Sequence, residues 1–203
     1  MKRRDGILFV VSAPSGAGKT SLCKGITDSL ENLTHSISYT TRAPRPGEID
    51  GRDYYFLGAA RFREMVMAGD FAEHAEVHGN LYGTSKRVLE DMIREGVDVV
   101  LDIDTQGARQ IKSHFAKAVF VFIMPPSLAI LEERLRNRRS DREDEIRRRM
   151  RRAMDEIKDV GMYDYIVVNR DFERALAELR AIVMAERCSR KLLGTDWINE
   201  LFR

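Results

Sequence analysis

The sequence predicts an α/β fold in which a parallel sheet is covered by helices on both faces. Three observations carry that prediction. Short, continuously apolar runs recur at residues 7–11, 119–124 and 165–168, as expected of strands buried on both sides. Segments with apolar residues at helical spacing, such as Leu22, Ile26 and Leu30, alternate with those runs,. A glycine-rich turn, Ala13-Pro14-Ser15-Gly16-Ala17-Gly18, separates the first run from the first helical pattern. Strands that alternate with helices pair in parallel through right-handed crossovers.

Taken in order, residues 7–11 are β-branched at Ile7, Val10 and Val11 and read as the first buried strand,. Residues 36–41 are a candidate second strand. Residues 42–58 are rich in charges and turn formers, with Pro44, Pro46, Gly47 and Gly51,. Residues 54–57 and 71–77 read as short strands around a helical piece carrying Phe62, Met65 and Val66. Val88, Leu89, Met92 and Ile93 mark another helix, stopped at Gly96,. The stretch 36–95 lacks strong buried runs and reads as a small insertion. Core-strand character returns at 97–103 and again at 119–124, where Pro125-Pro126 ends the run. Leu128, Leu131 and Leu135 continue as a helix. Residues 165–168 form the last apolar strand, and 172–187 a closing helix through Leu176, Leu179 and Val183.

The bulk numbers fit one domain of this kind. The chain has 203 residues, 43% hydrophobic and 33% charged, enough to bury a core and unlike a disordered chain. A net charge of +2 gives no global field that calls for nucleic acid or an anionic membrane,. The balance hides a local excess: residues 134–152 hold ten arginines against four acids. Two distant cysteines, Cys23 and Cys188, make neither a disulfide framework nor a metal knuckle and suit a reducing, cytoplasmic setting,. Residues 1–4 are basic, but the apolar run after them is too short for a signal sequence, and no stretch has the length of a membrane span.

Gly16-Ala17-Gly18-Lys19-Thr20, placed between a strand and a helix, has the context of a phosphate-binding P-loop,. Glycines let backbone N–H groups approach phosphate, and the helix N-terminus adds positive potential. Lys19 is expected to reach the β- and γ-phosphates, and the Thr20 hydroxyl to ligate Mg²⁺. Ala13 stands where the pattern asks for glycine, a small departure expected to be tolerated.

Asp102 and Asp104 flank Ile103 at the end of an apolar strand. Alternate residues share a strand face, so both carboxylates are expected to point the same way. At the C-terminal end of a parallel strand such a carboxylate lies beside the phosphate loop, and Asp102 can hold Mg²⁺ directly or through water. Read alone, the pair is also a plausible strand-end cap, with Gly107 marking a turn.

Five ordered segments together resemble the guanylate kinase family: residues 13–20; Ser38-Tyr39-Thr40-Thr41-Arg42-Ala43-Pro44-Arg45; residues 47–54; Asn80-Leu81-Tyr82-Gly83-Thr84; and Asp102-Ile103-Asp104-Thr105-Gln106-Gly107. The resemblance covers about residues 6–185 and leaves the tail from 191 to 203 outside. It implies a P-loop three-layer α/β/α architecture with a parallel five-stranded core sheet, an inserted small α+β GMP-binding domain and a helical lid. The expected boundaries are 1–35, 96–126 and 160–203 for the core, 36–95 for the insert and 127–159 for the lid.

The resemblance also implies roles. The loop residues Ala13, Pro14, Ser15, Gly16, Ala17, Gly18, Lys19 and Thr20 would bind ATP, with Arg134 and Asn169 near its adenine. Arg42, Arg45, Tyr54 and Tyr82 match positions that bind the GMP phosphate, and guanidinium forks suit paired phosphate oxygens. Glu73 matches the position that accepts from guanine N1–H and N2–H₂. Ser38 and Thr84 match the hydroxyls that touch the base, and Asp104 joins the GMP set. Adenine would leave Glu73 facing a lone pair, and each unpaired buried group costs about 1–3 kcal/mol. Arg138 and Arg149 match lid positions on the transferring phosphates and join Lys19 and Arg42 as catalytic candidates. Most other arginines of the window read as a solvated face.

Mg²⁺ is the implied cofactor and ATP and GMP are the implied partners, with no nucleic acid and no membrane. A homo-oligomer is left open, since apolar positions on the closing helix read as core or as interface. Two other functions fit parts of the same pattern: a guanylate-kinase-like module that binds peptides without catalysis, and a kinase for another phosphorylated acceptor. An intact Lys19, Thr20 and arginine set speaks against the first, and Glu73 with Ser38 and Thr84 against the second. The arginine window as a nucleic-acid patch lacks any reader motif.

Overall fold

The computed structural model describes residues 4–77, 79–137 and 143–189. Five strands form an all-parallel sheet: β1 (Leu8–Ser12), β2 (Leu33–His35), β7 (Asp98–Asp102), β8 (Val119–Met124) and β9 (Tyr165–Val168). Their order is β2-β7-β1-β8-β9, so β1 is central and its C-terminal end opens at the middle of the sheet edge. Every residue of β1 is buried, as are the first five of β8, which accounts for their unbroken apolar sequence,.

Two core clusters lie on opposite faces of this sheet. One packs Phe9, Val11, Val121 and Ile123 against α1 (Lys19–Ser29) and α7 (Phe172–Arg187). The other packs Leu8, Val10 and Leu101 against Leu89 of α3 (Lys86–Arg94) and against Ala108 and Ile111 of α4 (Thr105–His114). The result is the three-layer α/β/α arrangement the sequence predicts. Ala175, Leu179 and Val183 of α7 are buried against α1's face of the sheet, so these positions are core.

A second, four-stranded sheet has the order β4-β3-β6-β5, from β3 (Tyr39–Thr40), β4 (Tyr55–Phe56), β5 (Phe71–Val77) and β6 (Asn80–Ser85). Phe62 and Met65 of α2 (Ala59–Met67) and Phe71 form its small core. β5 and β6 pair antiparallel, with a register shift between Phe71 and Glu73. That bulge interrupts the in–out alternation, so Phe71, Ala72 and Glu73 are consecutively buried and Glu73 lies opposite Thr84,.

Several elements differ from expectation. Of the candidate strand at 36–41 only Tyr39–Thr40 is extended, and it lies in the small sheet; Leu33–His35, just before it, forms an edge strand of the large sheet that the sequence reading did not include. β2 is short because it pairs only with the first residues of β7. β6 and α4 have no counterpart in the sequence reading; each carries an internal glycine, Gly83 and Gly107, and few apolar residues. α3 stops where Gly96 takes φ +86°, as its glycine predicted,. α5 (Leu128–Asn137) and α6 (Glu143–Lys158) pack through Leu131, Leu135 and Ile146. Among the described residues no helix is long and apolar enough to cross a membrane.

Candidate functional site

The loop between β1 and α1 gets its shape from two glycines. Gly16 and Gly18 have φ +94° and +93°, a left-handed region that side chains oppose,. Ala17 N donates to Pro14 O at 3.0 Å, closing the turn. Ala13 needs no such freedom: among the described non-glycine residues only Asn32 has positive φ, and the Ala13 methyl is buried in the core. No side chain caps the N-terminus of α1, so its first N–H groups have no side-chain acceptor there,.

Two further elements brace the loop. A Cβ on Gly16 would sit 3.1 Å from Leu135 and 3.2 Å from Leu131, so α5 packs directly on it. Asn169, 5% exposed at the end of β9, donates from Nδ2 to Ala17 O at 2.7 Å. Arg134 donates from Nη2 to Asn169 O at 3.0 Å. Arg134, Asn169 and the glycine loop are thus one connected unit.

Lys19 and Thr20 converge on Asp102. Lys19 Nζ lies 2.6 Å from Asp102 Oδ1 and donates to Ile103 O at 2.8 Å. Thr20 Oγ1 donates to Asp102 Oδ2 at 3.1 Å. The common face expected for Asp102 and Asp104 does not arise by strand alternation, because β7 ends at Asp102. Asp104 instead caps α4, its Oδ1 accepting from Gly107 N at 2.8 Å. A hydroxyl and a carboxylate side by side are hard oxygen donors, and they fit Mg²⁺.

The small sheet builds a second constellation. Glu73 is 4% exposed and Thr84 1% exposed. Thr84 Oγ1 donates to Glu73 Oε1 at 2.6 Å, and Ser38 Oγ lies 3.3 Å from Thr84 Oγ1. Burial pushes the Glu73 carboxyl up to about 7, opposed by the Thr84 bond and helped by the Asp104 charge,. Gly107 leaves room for it: a Cβ there would sit 2.8 Å from Glu73 Oε2. The capped turn of α4 therefore joins this carboxylate to the strand end that carries Asp102.

Arg42, Tyr54 and Tyr82 also come together. The Arg42 guanidinium lies over the Tyr54 ring at 5.4 Å, and the Tyr54 and Tyr82 rings meet edge to face at 6.0 Å. Arg42 Nη2 is held by Glu48 Oε1 at 2.8 Å, and Glu48 Oε2 accepts from the Arg45 backbone N at 2.7 Å. Glu48 thus fixes the turn that carries both arginines. Arg45 is exposed.

The arginine-rich segment is split. Arg149, on α6, lies 3.6 Å from Glu145 of its own helix. Arg138 falls outside the described residues, as does the tail from 191. Two residues around the site have no role in the sequence reading. Glu48 is one; Gly107, read there as marking a turn, lies instead within α4 against Glu73. The other is Glu156, near the end of α6, whose carboxyl burial pushes up to about 7, opposed by Lys19 and helped by the Asp104 charge. One more Glu in a charge-rich helix gives no sequence signal; only the packing of α6 reveals it.

A family model described as guanylate kinase matches residues 6–186. A guanylate kinase of Geobacter metallireducens is 55% identical over 186 residues, covering 92% of each chain. One from Geobacter sulfurreducens is 52% identical over 200 residues, covering 98% of each. A crystal structure of guanylate kinase from Anaplasma phagocytophilum superposes with a TM-score of 0.79 at 35% identity, covering 99% of this chain and 95% of the other.

Proposed function

The chain belongs to the guanylate kinase family, and from that premise we propose how its own residues carry out the ATP-dependent phosphorylation of GMP. The observation that carries the reading is a shared wall. The segment from Asp102 to Gly107 borders the phosphate loop at one end and the buried Glu73 at the other. Two anionic ligands held on either side of it would meet phosphate to phosphate.

On the ATP side, backbone N–H groups of Ala13 to Gly18 and the open N-terminus of α1 bind the β- and γ-phosphates. Lys19 exchanges its Asp102 partner for phosphate oxygens. Thr20 and Asp102 would hold Mg²⁺, which when bound neutralises charge on the β- and γ-oxygens. Arg134 and Asn169 are assigned to the adenine end by family resemblance, and their hydrogen bonds to each other and to the loop support a place on the ATP side.

On the acceptor side, the Glu73 carboxylate accepts from N1–H and N2–H₂ of guanine, with Ser38 and Thr84 on the same edge and Asp104 close by. Arg42, Arg45, Tyr54 and Tyr82 bind the GMP phosphate, Arg42 giving up Glu48 to do so. The GMP phosphate is already an anionic nucleophile, so the reaction needs alignment and cancellation of charge more than a general base. Arg138 and Arg149, assigned by family resemblance, complete the positive surround of the transferring group. The three-part division into core, GMP-binding insert (36–95) and lid (127–159) belongs to this reading. So does a cytoplasmic setting, which two free cysteines suit,.

The test is ADP release from ATP with and without Mg²⁺, offering GMP, AMP, UMP and CMP in turn. Turnover with GMP alone, and only with the metal, is the expected result. Equal turnover with AMP would remove Glu73 from base selection and overturn the acceptor assignment.

A further inference from the structure

A second set of donors meets at the same sheet edge and shares only Asp102 with the nucleotide site. Cys23 lies on α1, His35 ends β2 and Asp102 ends β7. β2 and β7 pair with His35 opposite Val100, so Asp102, two residues further on, shares that face of the sheet,. The Cys23 side chain is buried against the same face. The Cys23 sulfur, a His35 ring nitrogen and an Asp102 carboxylate oxygen all lie within 4.8 Å of one another. Three different elements supply them, which distinguishes the group from a run of surface acids.

We propose that Cys23, His35 and Asp102 form a site for one thiophilic divalent cation of the Zn²⁺ class, and that this ion withdraws Asp102 from the nucleotide site. Bonds of about 2.0–2.3 Å around a tetrahedral ion set its donors roughly 3.3–3.7 Å apart. Rotation about side-chain bonds closes the set from its present spacing. Three protein ligands leave the fourth position to water. Thiolate and imidazole discriminate against Mg²⁺, which takes oxygen donors. Binding is balanced by release of the Cys23 thiol proton to solvent.

The consequence for Asp102 follows from its present partners. Lys19 Nζ and Thr20 Oγ1 occupy its two oxygens at 2.6 and 3.1 Å. A cation on this carboxylate repels the Lys19 ammonium and competes with Mg²⁺ for the same oxygen. This inhibitory part rests on the reading of Asp102 given under Proposed function; the metal-binding part does not.

Titration of the whole protein with Co²⁺, in the absence of nucleotide, reads the site directly. One equivalent is expected to produce a sulfur-to-cobalt charge-transfer band that Zn²⁺ abolishes. Cys23→Ala is expected to remove the band, and His35→Ala to weaken Co²⁺ binding by about 10-fold or more, since even outer-shell changes cost that much. His35 is only partly buried, so its variant reports even if Cys23→Ala folds poorly. In the kinase assay, Zn²⁺ added to saturating Mg·ATP and GMP is expected to slow the wild type while both variants keep their activity. Absence of a sulfur band overturns the site, and equal Zn²⁺ sensitivity of wild type and variants overturns the competition for Asp102. A chain inactive on GMP in metal-free buffer with Mg²⁺ restored would instead sink the kinase reading, leaving the cobalt spectrum to decide the site.

Discussion

Thr84 donates its hydroxyl to Glu73 across 2.6 Å, and the two side chains are buried together opposite each other on β6 and β5. One oxygen of the carboxylate is thereby fixed, and its partner oxygen faces Gly107. The proposed contact with guanine needs the charged carboxylate, yet burial holds the carboxyl near 7, above its ordinary 4.5.

That mismatch sets a pH dependence. A raised carboxyl binds its proton in the folded state, so its contribution to stability is full below 4.5 and lost as pH rises through about 7,. GMP binding has the opposite sense, because the base selects the ionised form. The KM for GMP is expected to rise by roughly 10-fold between about pH 8 and about pH 6. Burial also raises the Glu156 carboxyl to about 7, opposed by the Lys19 charge, so the KM for ATP is to be followed over the same pH range. The informative comparison is therefore Glu73→Gln, which should raise the KM for GMP throughout and flatten its pH profile. A profile for GMP unchanged by that substitution would remove Glu73 from the base contact.

Gly18→Ala tests the brace beneath the phosphate loop. The backbone there has φ +93°, and a methyl would lie 2.4 Å from Asn169 Nδ2, displacing the bond to Ala17 O. Left-handed strain adds about 1–2 kcal/mol. The KM for ATP should increase by about 10-fold or more, since about 1.4 kcal/mol already corresponds to tenfold. The KM for GMP should change much less, and initial-rate kinetics with each substrate varied in turn separates the two.

How much of this was legible in the sequence follows from how local each signal is. The phosphate loop and Asp102 could be read because strand, glycine turn and helix follow one another directly, and the chemistry of each residue is set by its neighbours. Glu73 was located by resemblance alone, since its place opposite Thr84 depends on a bulge that no alternation pattern announces. Leu33–His35 is three residues long and owes its place to pairing with β7, a partner more than sixty residues away. α4 escaped because a glycine and a mostly polar composition conceal a helix whose Ala108 and Ile111 pack beneath the sheet. The same-face expectation for Asp102 and Asp104 failed where β7 ended and a helix cap took over.

Asp98 should prove the most sensitive charged position for stability. It is fully buried at the start of β7 and accepts from Arg4 at 2.6 and 2.7 Å, from Ile7 N at 2.8 Å and from Arg187 at 2.8 Å. The cluster ties the N-terminal segment and the end of α7 to the sheet. Removing one partner of a buried pair costs about 3–5 kcal/mol, because the others are left uncompensated. Asp98→Ala should shift the urea midpoint accordingly. Since the cluster lies at the opposite end of β7 from Asp102, KM values measured on the folded fraction should stay near wild type.

Gly107→Ala separates helix stability from recognition. Gly107 lies within α4, where alanine is favoured over glycine by roughly 0.5–1 kcal/mol,. A methyl there would nonetheless approach Glu73 Oε2 to 2.8 Å and Ile103 Cδ1 to 3.2 Å. The glutamate is the more easily displaced, being the end of a flexible side chain, so the substitution should move the carboxylate rather than unfold the protein. Thermal stability is expected to hold or rise slightly while the KM for GMP increases several-fold and the KM for ATP does not. Loss of stability with both KM values preserved would mean that Gly107 serves packing against Ile103, and that the space beside Glu73 has no part in choosing the base.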